Sequence, residues 1–281
     1  MGWSWYLPND MQFFFLAPPL AWLYYHKRSL CYISILLISL ICYGIEIWIL
    51  LAYGFKASYL ENTDDYFLLY YNRPYNRIPP FFVGLIASFA FYSYKFEEGT
   101  FWNKASNRLH TRKNLRYLCY AAGLLFMAIP ILTFYPINRW PEHTSLFINM
   151  IYMTFSRPMF AAGFTMVLYP VLLGHNRFLH FILALDFYTP LARMTFAAYL
   201  LHPVFMNLRS LNFDRGQWLS INEVILDYIA FYAISYILGT AFTLLVETPF
   251  VNLEKTFIMG GGGGGRRKKK SSEIKERLIK H

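Results

Sequence analysis

The stretch LCYISILLISLICYGIEIWILLAY, from Leu30 to Tyr53, decides the fold of this chain. It is mostly apolar and contains a single charged residue, Glu46. A helix needs about 20 apolar residues to cross the hydrocarbon core of a bilayer, so this stretch predicts a transmembrane helix. A charge inside such a helix is costly, and it therefore usually faces the bundle interior and marks a site or pathway.

Further apolar stretches of similar length lie on both sides of this one. They occupy approximately residues 5–25, 78–94, 115–135, 146–173, 189–208 and 224–246. The whole chain is 56% hydrophobic and 15% charged, whereas a soluble domain carries about 25% charged residues. The sequence therefore predicts an all-α fold, a polytopic transmembrane helix bundle of about seven spans.

Basic residues predict the orientation of this bundle. The loop 95–116 has a net charge of +4, and the short turn 26–28 is basic too. With seven spans, both segments and the basic C-terminal tail fall on one side, which the positive-inside rule makes cytoplasmic. We therefore expect a multi-pass protein of the endoplasmic reticulum or plasma membrane, with Met1 outside and a cytoplasmic C-terminus.

The chain divides into a transmembrane domain, residues 1–258, and a Gly-rich linker with a basic tail, residues 259–281. Residues 260–281 carry +6 of the net charge of +10, and such a cluster beside apolar spans argues against nucleic acid as a partner. The glycines at 260–265 predict a flexible linker. The basic run after them reinforces topology or binds anionic lipid, and consists of Arg266, Arg267, Lys268, Lys269 and Lys270.

Polar residues within or next to the predicted spans are the candidate site residues. Arg157 lies near mid-depth, and its guanidinium keeps its proton, so it needs an anion, carbonyl groups or water. We expect a second group to converge near the outer face and Arg193 to lie at the inner face. The outer group consists of Asn9, Asp10, Glu46, Arg77 and His202, with Gln12 and Arg73 beside them.

Each of these residues also has a structural interpretation. Asn9 and Asp10 can cap a helix, and Glu46 can be the partner of an interior arginine. Arg73 and Arg77 can anchor the chain at the interface, and His202 can be a satisfied histidine of the bundle. Arg193 can form a structural ion pair with Glu247 or anchor the chain at the interface. The cysteine and histidine spacings show no metal-ligand pattern, so we expect no metal. The sequence motifs of soluble hydrolases and nucleotide-binding enzymes are absent.

Five segments, in order, resemble the animal nose-resistant-to-fluoxetine proteins, which belong to acyltransferase family 3 of integral membrane proteins. The N-terminal segment is MGWSWYLPNDMQF, residues 1–13. The others are YNRIPPFFVG at 75–84, SRP at 156–158, PLARMTFAAYLLHP at 190–203 and VETPF at 246–250. The resemblance extends from Met1 to about Phe257.

The resemblance implies an acyltransferase. The acyl group, other than an aminoacyl group, would pass from a thioester donor such as acyl-CoA to a hydroxyl acceptor on a lipid or another molecule. Membrane lipids are then partners, and no cofactor is bound permanently. In the family an early histidine is the favoured base, and His202 is the site-lining histidine of this chain that we take as its catalytic candidate. The substrate-binding candidates are Asn9, Asp10, Glu46, Arg77, Arg157 and Arg193.

The chain departs from the family pattern at its beginning. Family members are longer, and their proposed catalytic histidine lies in an early span near an arginine. That histidine and its span have no counterpart here. We therefore expect an incomplete membrane domain that lacks N-terminal spans and is poorly active alone. Two alternatives stay open: a transporter of lipids or small molecules without chemistry, and an inactive fragment or a partner of another chain.

Overall fold

The computed structural model describes residues 5–57, 64–211 and 220–257, and all regular elements in these ranges are helical. The helices are α1 (Tyr6–His26), α2 (Arg28–Tyr53), α3 (Asp64–Tyr66), α4 (Ile78–Phe96), α5 (Phe101–Thr111), α6 (Lys113–Arg139), α7 (Leu146–Leu172), α8 (Arg177–Leu183), α9 (Tyr188–Leu211), α10 (Ile221–Phe242) and α11 (Thr248–Phe257). A π-helical turn, Phe67–Tyr71, follows α3, and another, Thr243–Glu247, joins α10 to α11. The all-α prediction is confirmed for these ranges.

Seven helices in these ranges have 19 residues or more, and each coincides with one predicted span: α1, α2, α4, α6, α7, α9 and α10. Three stretches are long and apolar enough to cross a membrane alone, namely α2, α6 and the continuous stretch Ile221–Glu254. Helices α7 and α8, bent by 103° at a short break, form a fourth candidate. The count of seven spans therefore stays a prediction.

The chain forms two compact units that meet in sequence between Ala184 and Leu185. The first unit contains α1 to α8, and the second contains α9 to α11. The basic run at 266–270 and its glycine linker lie outside the described residues. The domain boundary predicted near residue 258 lies there as well.

Two apolar clusters form the core of the first unit. One joins α1, α2 and α4, where the rings of Tyr24 and Phe89 stack with their centroids 4.2 Å apart. The other joins the end of α2 to α7 through the segment that precedes α4, and consists of Ile49, Leu50, Phe55, Tyr66, Tyr70 and Met153. Large apolar side chains such as Leu36, Trp48 and Leu132 are exposed on the long helices, as expected where a helix faces lipid.

Two glycines bring α6 and α7 together. A Cβ atom built on Gly163 would lie 2.6 Å from the carbonyl oxygen of Gly123. A Cβ on Gly123 would lie 2.8 Å from the carbonyl oxygen of Gly163. Small residues that let two backbones approach are the usual means of packing helices in a membrane, where burial of apolar surface drives association less.

The segments predicted on one side of the membrane contact each other in the first unit. At the end predicted to be cytoplasmic, Arg28 and Glu97 form an ion pair with a nitrogen–oxygen distance of 2.5 Å. At the opposite end, Asn149 at the start of α7 binds the segment after α2. Its Nδ2 donates to the Phe55 carbonyl at 2.8 Å, and its Oδ1 accepts from the Ala57 amide at 2.8 Å.

The second unit is built on an antiparallel pair, α9 and α10. Gly239 on α10 faces Ala198 on α9 so closely that a Cβ at Gly239 would lie 3.0 Å from the Ala198 nitrogen. Arg209 and Asp227 join the two helices by an ion pair of 2.5 Å. These contacts fix the register of the pair.

Candidate functional site

Arg157 is oriented by a path of hydrogen bonds that begins and ends on α7. Its Nη1 donates to Oδ1 of the buried Asn76. Asn76 Nδ2 donates to the Tyr70 carbonyl at 2.7 Å, and the Tyr70 hydroxyl donates to the Met153 carbonyl at 2.9 Å. Because Met153 precedes Arg157 by about one turn, this path ties the segment before α4 to the helix that carries the guanidinium.

Three aromatic rings surround two guanidinium groups. The Cζ atom of Arg157 lies 5.4 Å from the ring centroid of Tyr70 and 5.6 Å from that of Tyr71. The Cζ atom of Arg77 lies 4.9 Å from the Tyr71 centroid and 4.9 Å from the Trp5 centroid. At such distances the ring faces attract the cations, so the rings hold both charges without neutralising them.

Local structure places Arg77 in this group. Pro74–Asn76 forms a single 3-10 turn, and Arg77 follows it as the residue before α4. Prolines at the first positions of α4 fix the start of the helix. Asn76 and Arg77 are therefore held together beside Arg157.

Glu46 contributes a deeply buried carboxylate from α2. Glu46 is only 1% exposed, and its carboxylate lies within electrostatic range of Arg157. Oε2 of Glu46 and Oγ1 of the buried Thr154 have no hydrogen-bond partner among the described residues. Buried polar atoms without a partner are costly and uncommon, so they point to a place where another polar group is received.

Asn9 and Asp10 have different surroundings although they are adjacent. Asn9 is buried, and its Nδ2 donates to the Asn72 carbonyl at 3.0 Å. Asp10 is exposed. Helix α1 begins at Tyr6, so both residues lie inside the helix and the capping interpretation is wrong.

Burial and neighbouring charges shift the pKa values of Arg77 and Tyr70, which both lie outside the predicted spans. Burial lowers the pKa of Arg77, and the nearby positive charge of Arg157 lowers it further. Burial raises the pKa of Tyr70. A guanidinium nevertheless stays protonated in proteins, and Tyr70 stays a neutral hydrogen-bond donor.

The second unit contains a cleft of about 500 Å³ between α9 and α10. His202 lines it together with mostly aromatic and aliphatic side chains, such as Tyr199, Met206 and Phe231. The carboxylate of Asp227, also in the lining, is paired with Arg209. Buried Ser235 lines the cleft too, and its hydroxyl has no partner among the described residues. Such a mostly apolar pocket with a few polar groups is typical of ligand sites.

The predicted site residues divide between the two units. The first unit brings Glu46, Arg77 and Arg157 together, and Asn9 binds the segment that precedes them. His202 and the exposed Arg193 belong to α9 in the second unit. The role of each of these residues stays a prediction.

Sequence reasoning missed several members of both groups. Asn76 and Tyr70 carry the hydrogen bonds that hold Arg157, and Asn76 stands beside Arg77 in the sequence. In the second unit, Asp227 was an acid inside a predicted span and was therefore a detectable signal. Ser235 had no such signal, because serine is common in transmembrane helices.

Comparison with known proteins gives a consistent result. The family model described as an acyltransferase domain matches residues 1–248. Nose resistant to fluoxetine protein 6 of Caenorhabditis elegans is 23% identical over 266 residues, which are 91% of this chain and 32% of that protein. The chain thus spans about a third of the length of this curated relative. No solved structure matches the chain significantly.

The matched range includes all seven candidate site residues and most of both units. The apolar helices are those of a membrane protein, and the match gives no support to the transporter alternative. This chain is therefore a helical membrane protein that belongs to acyltransferase family 3 and is similar to the nose-resistant-to-fluoxetine proteins.

Proposed function

We propose that this protein transfers an acyl group, other than an aminoacyl group, from a thioester donor such as acyl-CoA to the hydroxyl of a lipid or another acceptor. The observation that carries the proposal is the position of His202 in a mostly apolar cleft of about 500 Å³ inside a chain of an acyltransferase family. An imidazole is the commonest general base in proteins, and apolar walls suit an acyl chain or a lipid acceptor.

In the proposed reaction, His202 accepts the proton of the acceptor hydroxyl, and the oxygen of that hydroxyl attacks the thioester carbonyl carbon. The C–S bond breaks, the new C–O ester bond forms, and the proton passes to the departing thiolate. Hydrogen-bond donors stabilise the negative charge that develops on the carbonyl oxygen. The hydroxyl of Ser235, which lines the same cleft without a partner among the described residues, is the candidate donor.

The polar cluster of the first unit supplies substrate-binding groups in this proposal. Arg157 is the group of the first unit that we assign to the anionic groups of the donor. Arg193, in the second unit, is assigned by itself to the same class of group. Asn9, Asp10, Glu46 and Arg77 belong to the side that receives the acceptor. The buried, unpartnered oxygen of Glu46 supports this assignment, because it accepts a hydrogen bond from a polar ligand without losing one.

We also propose the topology and location. Seven spans place Met1 outside and the C-terminus in the cytoplasm of a protein of the endoplasmic reticulum or plasma membrane. The contacts of Arg28 with Glu97 at one end and of Asn149 with Phe55 at the other support this arrangement in the first unit. In the tail, Arg266 to Lys270 would contact anionic lipid on the cytoplasmic side.

Product analysis tests the proposed function. Membranes that contain the chain are incubated with an acyl thioester labelled in its acyl group and with membrane lipids that carry hydroxyls, including sterols. Because the sequence predicts a chain that is poorly active alone, we expect a labelled ester that forms slowly, increases with the amount of the chain and is absent from membranes without it. Label that crosses or enters the membrane without forming an ester bond would contradict acyl transfer and favour transport.

A further inference from the structure

Arg77 has a hydrogen-bonding edge that the described residues do not satisfy. Its Nε and Nη2 atoms are both buried and have no hydrogen-bond partner among these residues. These two nitrogens form one side of the planar guanidinium, and their N–H groups point in parallel. This pair of donors matches the two oxygens of a carboxylate or a phosphate.

The surroundings of Arg77 provide an excess of positive charge. The ring of Tyr71 lies near both Arg77 and Arg157, and the aromatic rings contribute no negative charge. The buried acid in range of Arg157 is Glu46, and the charged residue that acts on the pKa of Arg77 is the positive Arg157. Burying unmatched charge is unfavourable, and an anion beside Arg77 removes the mismatch.

The helix that follows Arg77 favours the same charge. Arg77 precedes α4, a helix of 19 residues with prolines in its first turn. The amide groups at a helix N-terminus create a positive electrostatic potential that favours anions. Burial and the charge of Arg157 lower the pKa of Arg77, and a hydrogen bond with the Tyr71 side chain opposes part of this shift. The net direction agrees with a guanidinium that lacks sufficient neighbouring negative charge.

From this geometry we propose that Arg77 binds an oxyanion, a carboxylate or a phosphate group, through Nε and Nη2, with Arg157 adding electrostatic attraction. The inference rests on the proposed function in that it names the chemical class of the group that Arg77 receives, but the binding itself is measured without acyl transfer. The anion belongs either to a small soluble molecule or to a lipid, and in both cases two oxygens accept hydrogen bonds from Arg77.

Thermal unfolding of the purified chain in an uncharged detergent tests the site. Inorganic phosphate and acetate are titrated separately at constant ionic strength with chloride, and short-chain phosphatidic acid is titrated in a parallel series. We expect a saturable rise in the unfolding temperature with at least one of these probes. A response to phosphate or acetate identifies a small anion, and a response to phosphatidic acid alone identifies a lipid headgroup.

Variants separate this site from general charge effects. Two charge-assisted hydrogen bonds predict that Arg77→Gln weakens the apparent affinity by about 10- to 100-fold. Arg77→Lys keeps the charge but loses the paired donors, so an intermediate loss is expected. Arg73→Gln is the matched control, because Arg73 is exposed in the same segment and its Nε donates to the Leu68 carbonyl at 2.7 Å.

Two results would overturn the proposal. One is the absence of a saturable response in the wild-type protein to any of the probes. The other is an apparent affinity for the probe that is as high in Arg77→Lys or Arg77→Gln as it is in Arg73→Gln. If Arg77→Gln fails to fold, the comparison of Arg77→Lys with Arg73→Gln decides, because both variants replace an arginine of the same segment. Failure of acyl transfer alone leaves this binding test unaffected.

Discussion

Asn76 is a small residue with a large structural role. It accepts a hydrogen bond from Arg157 and donates one to the Tyr70 carbonyl, and it is buried. Asn76 therefore holds the guanidinium of Arg157, which would otherwise need water or another hydrogen-bond partner. Sequence reasoning identified Arg157 from its cost in a membrane span, but it did not identify Asn76, because an amide in a predicted loop has no obvious cost.

Replacement of Asn76 tests this role. Asn76→Leu leaves both the Tyr70 carbonyl and one donor of Arg157 without their partner, and we expect a loss of about 1–3 kcal/mol in the free energy of unfolding. Denaturant titration in mixed micelles measures it. Asn107→Ala is the control, since Asn107 is exposed on α5, and it should change stability by less than about 0.5 kcal/mol. Equal effects of the two variants would contradict the account.

His110 and His175 form a pair at the end of the first unit that is predicted to be cytoplasmic. Their Nδ1 and Nε2 atoms are 3.1 Å apart, so one ring donates and the other accepts. Burial, Arg116 and His110 all lower the pKa of His175 from its usual 6.5. Folding therefore favours the neutral ring.

This pair predicts a small pH dependence of stability. The unfolded chain binds a proton at His175 more readily than the folded chain, so stability rises with pH. The contribution is present above about pH 6.5 and is lost as pH falls below it. Unfolding temperatures measured from pH 8 to pH 5 should fall more for the wild-type protein than for His175→Gln. A parallel decline in both would show that the pair does not contribute.

At the scale of helices, hydropathy predicted where the long helices lie, but it did not predict the short helix α5. Each of the seven predicted spans overlaps a long helix, because about 20 apolar residues in a row leave few alternatives. The amphipathic α5 lies in what was predicted as a basic loop, and its existence depends on packing. For example, Ser106 and Tyr169 contact each other with their oxygens 2.5 Å apart.

The candidate site was predictable only in part for the same reason. The charged residues Glu46, Arg77 and Arg157 stand out because a membrane makes their burial expensive. Which of these charged residues lie close together depends on how α2, α4 and α7 pack. The hydrophobic periodicity of a single helix does not determine this packing. The pairing of Asp227 with Arg209 likewise follows from the register of α9 and α10.

The glycine contact between α6 and α7 gives a prediction at this scale. Gly163→Ala should force the helices apart, because its Cβ would lie 2.6 Å from a backbone oxygen and 2.9 Å from the Met127 nitrogen. We expect a loss of about 1–3 kcal/mol in the free energy of unfolding. Gly84→Ala on α4 is the matched control, because a Cβ there meets no atom within 4 Å. A stable Gly163→Ala with an unstable Gly84→Ala would reject this packing.

At the scale of the whole molecule, the orientation in the membrane is the main structural proposal. Basic residues predict loop 95–116 on the cytoplasmic side and loop 54–77 on the opposite side. A glycosylation acceptor inserted near Gly54 should receive a glycan, and one inserted near Gly99 should not. A shift in gel mobility that glycosidase reverses measures both. Glycan at Gly99, or its absence at Gly54 in a chain that inserts normally, would reject the topology.

The central proposal is that His202 serves as the base for acyl transfer by this member of acyltransferase family 3. The most direct measurement is the initial rate of ester formation from a thioester donor, compared at equal protein amounts for the wild type, His202→Ala and the control His180→Ala. His180 is exposed on α8, so its replacement should leave the rate unchanged. Loss of a general base predicts a rate about 10²- to 10⁴-fold lower for His202→Ala, whereas a rate equal to that of the wild type would contradict the account.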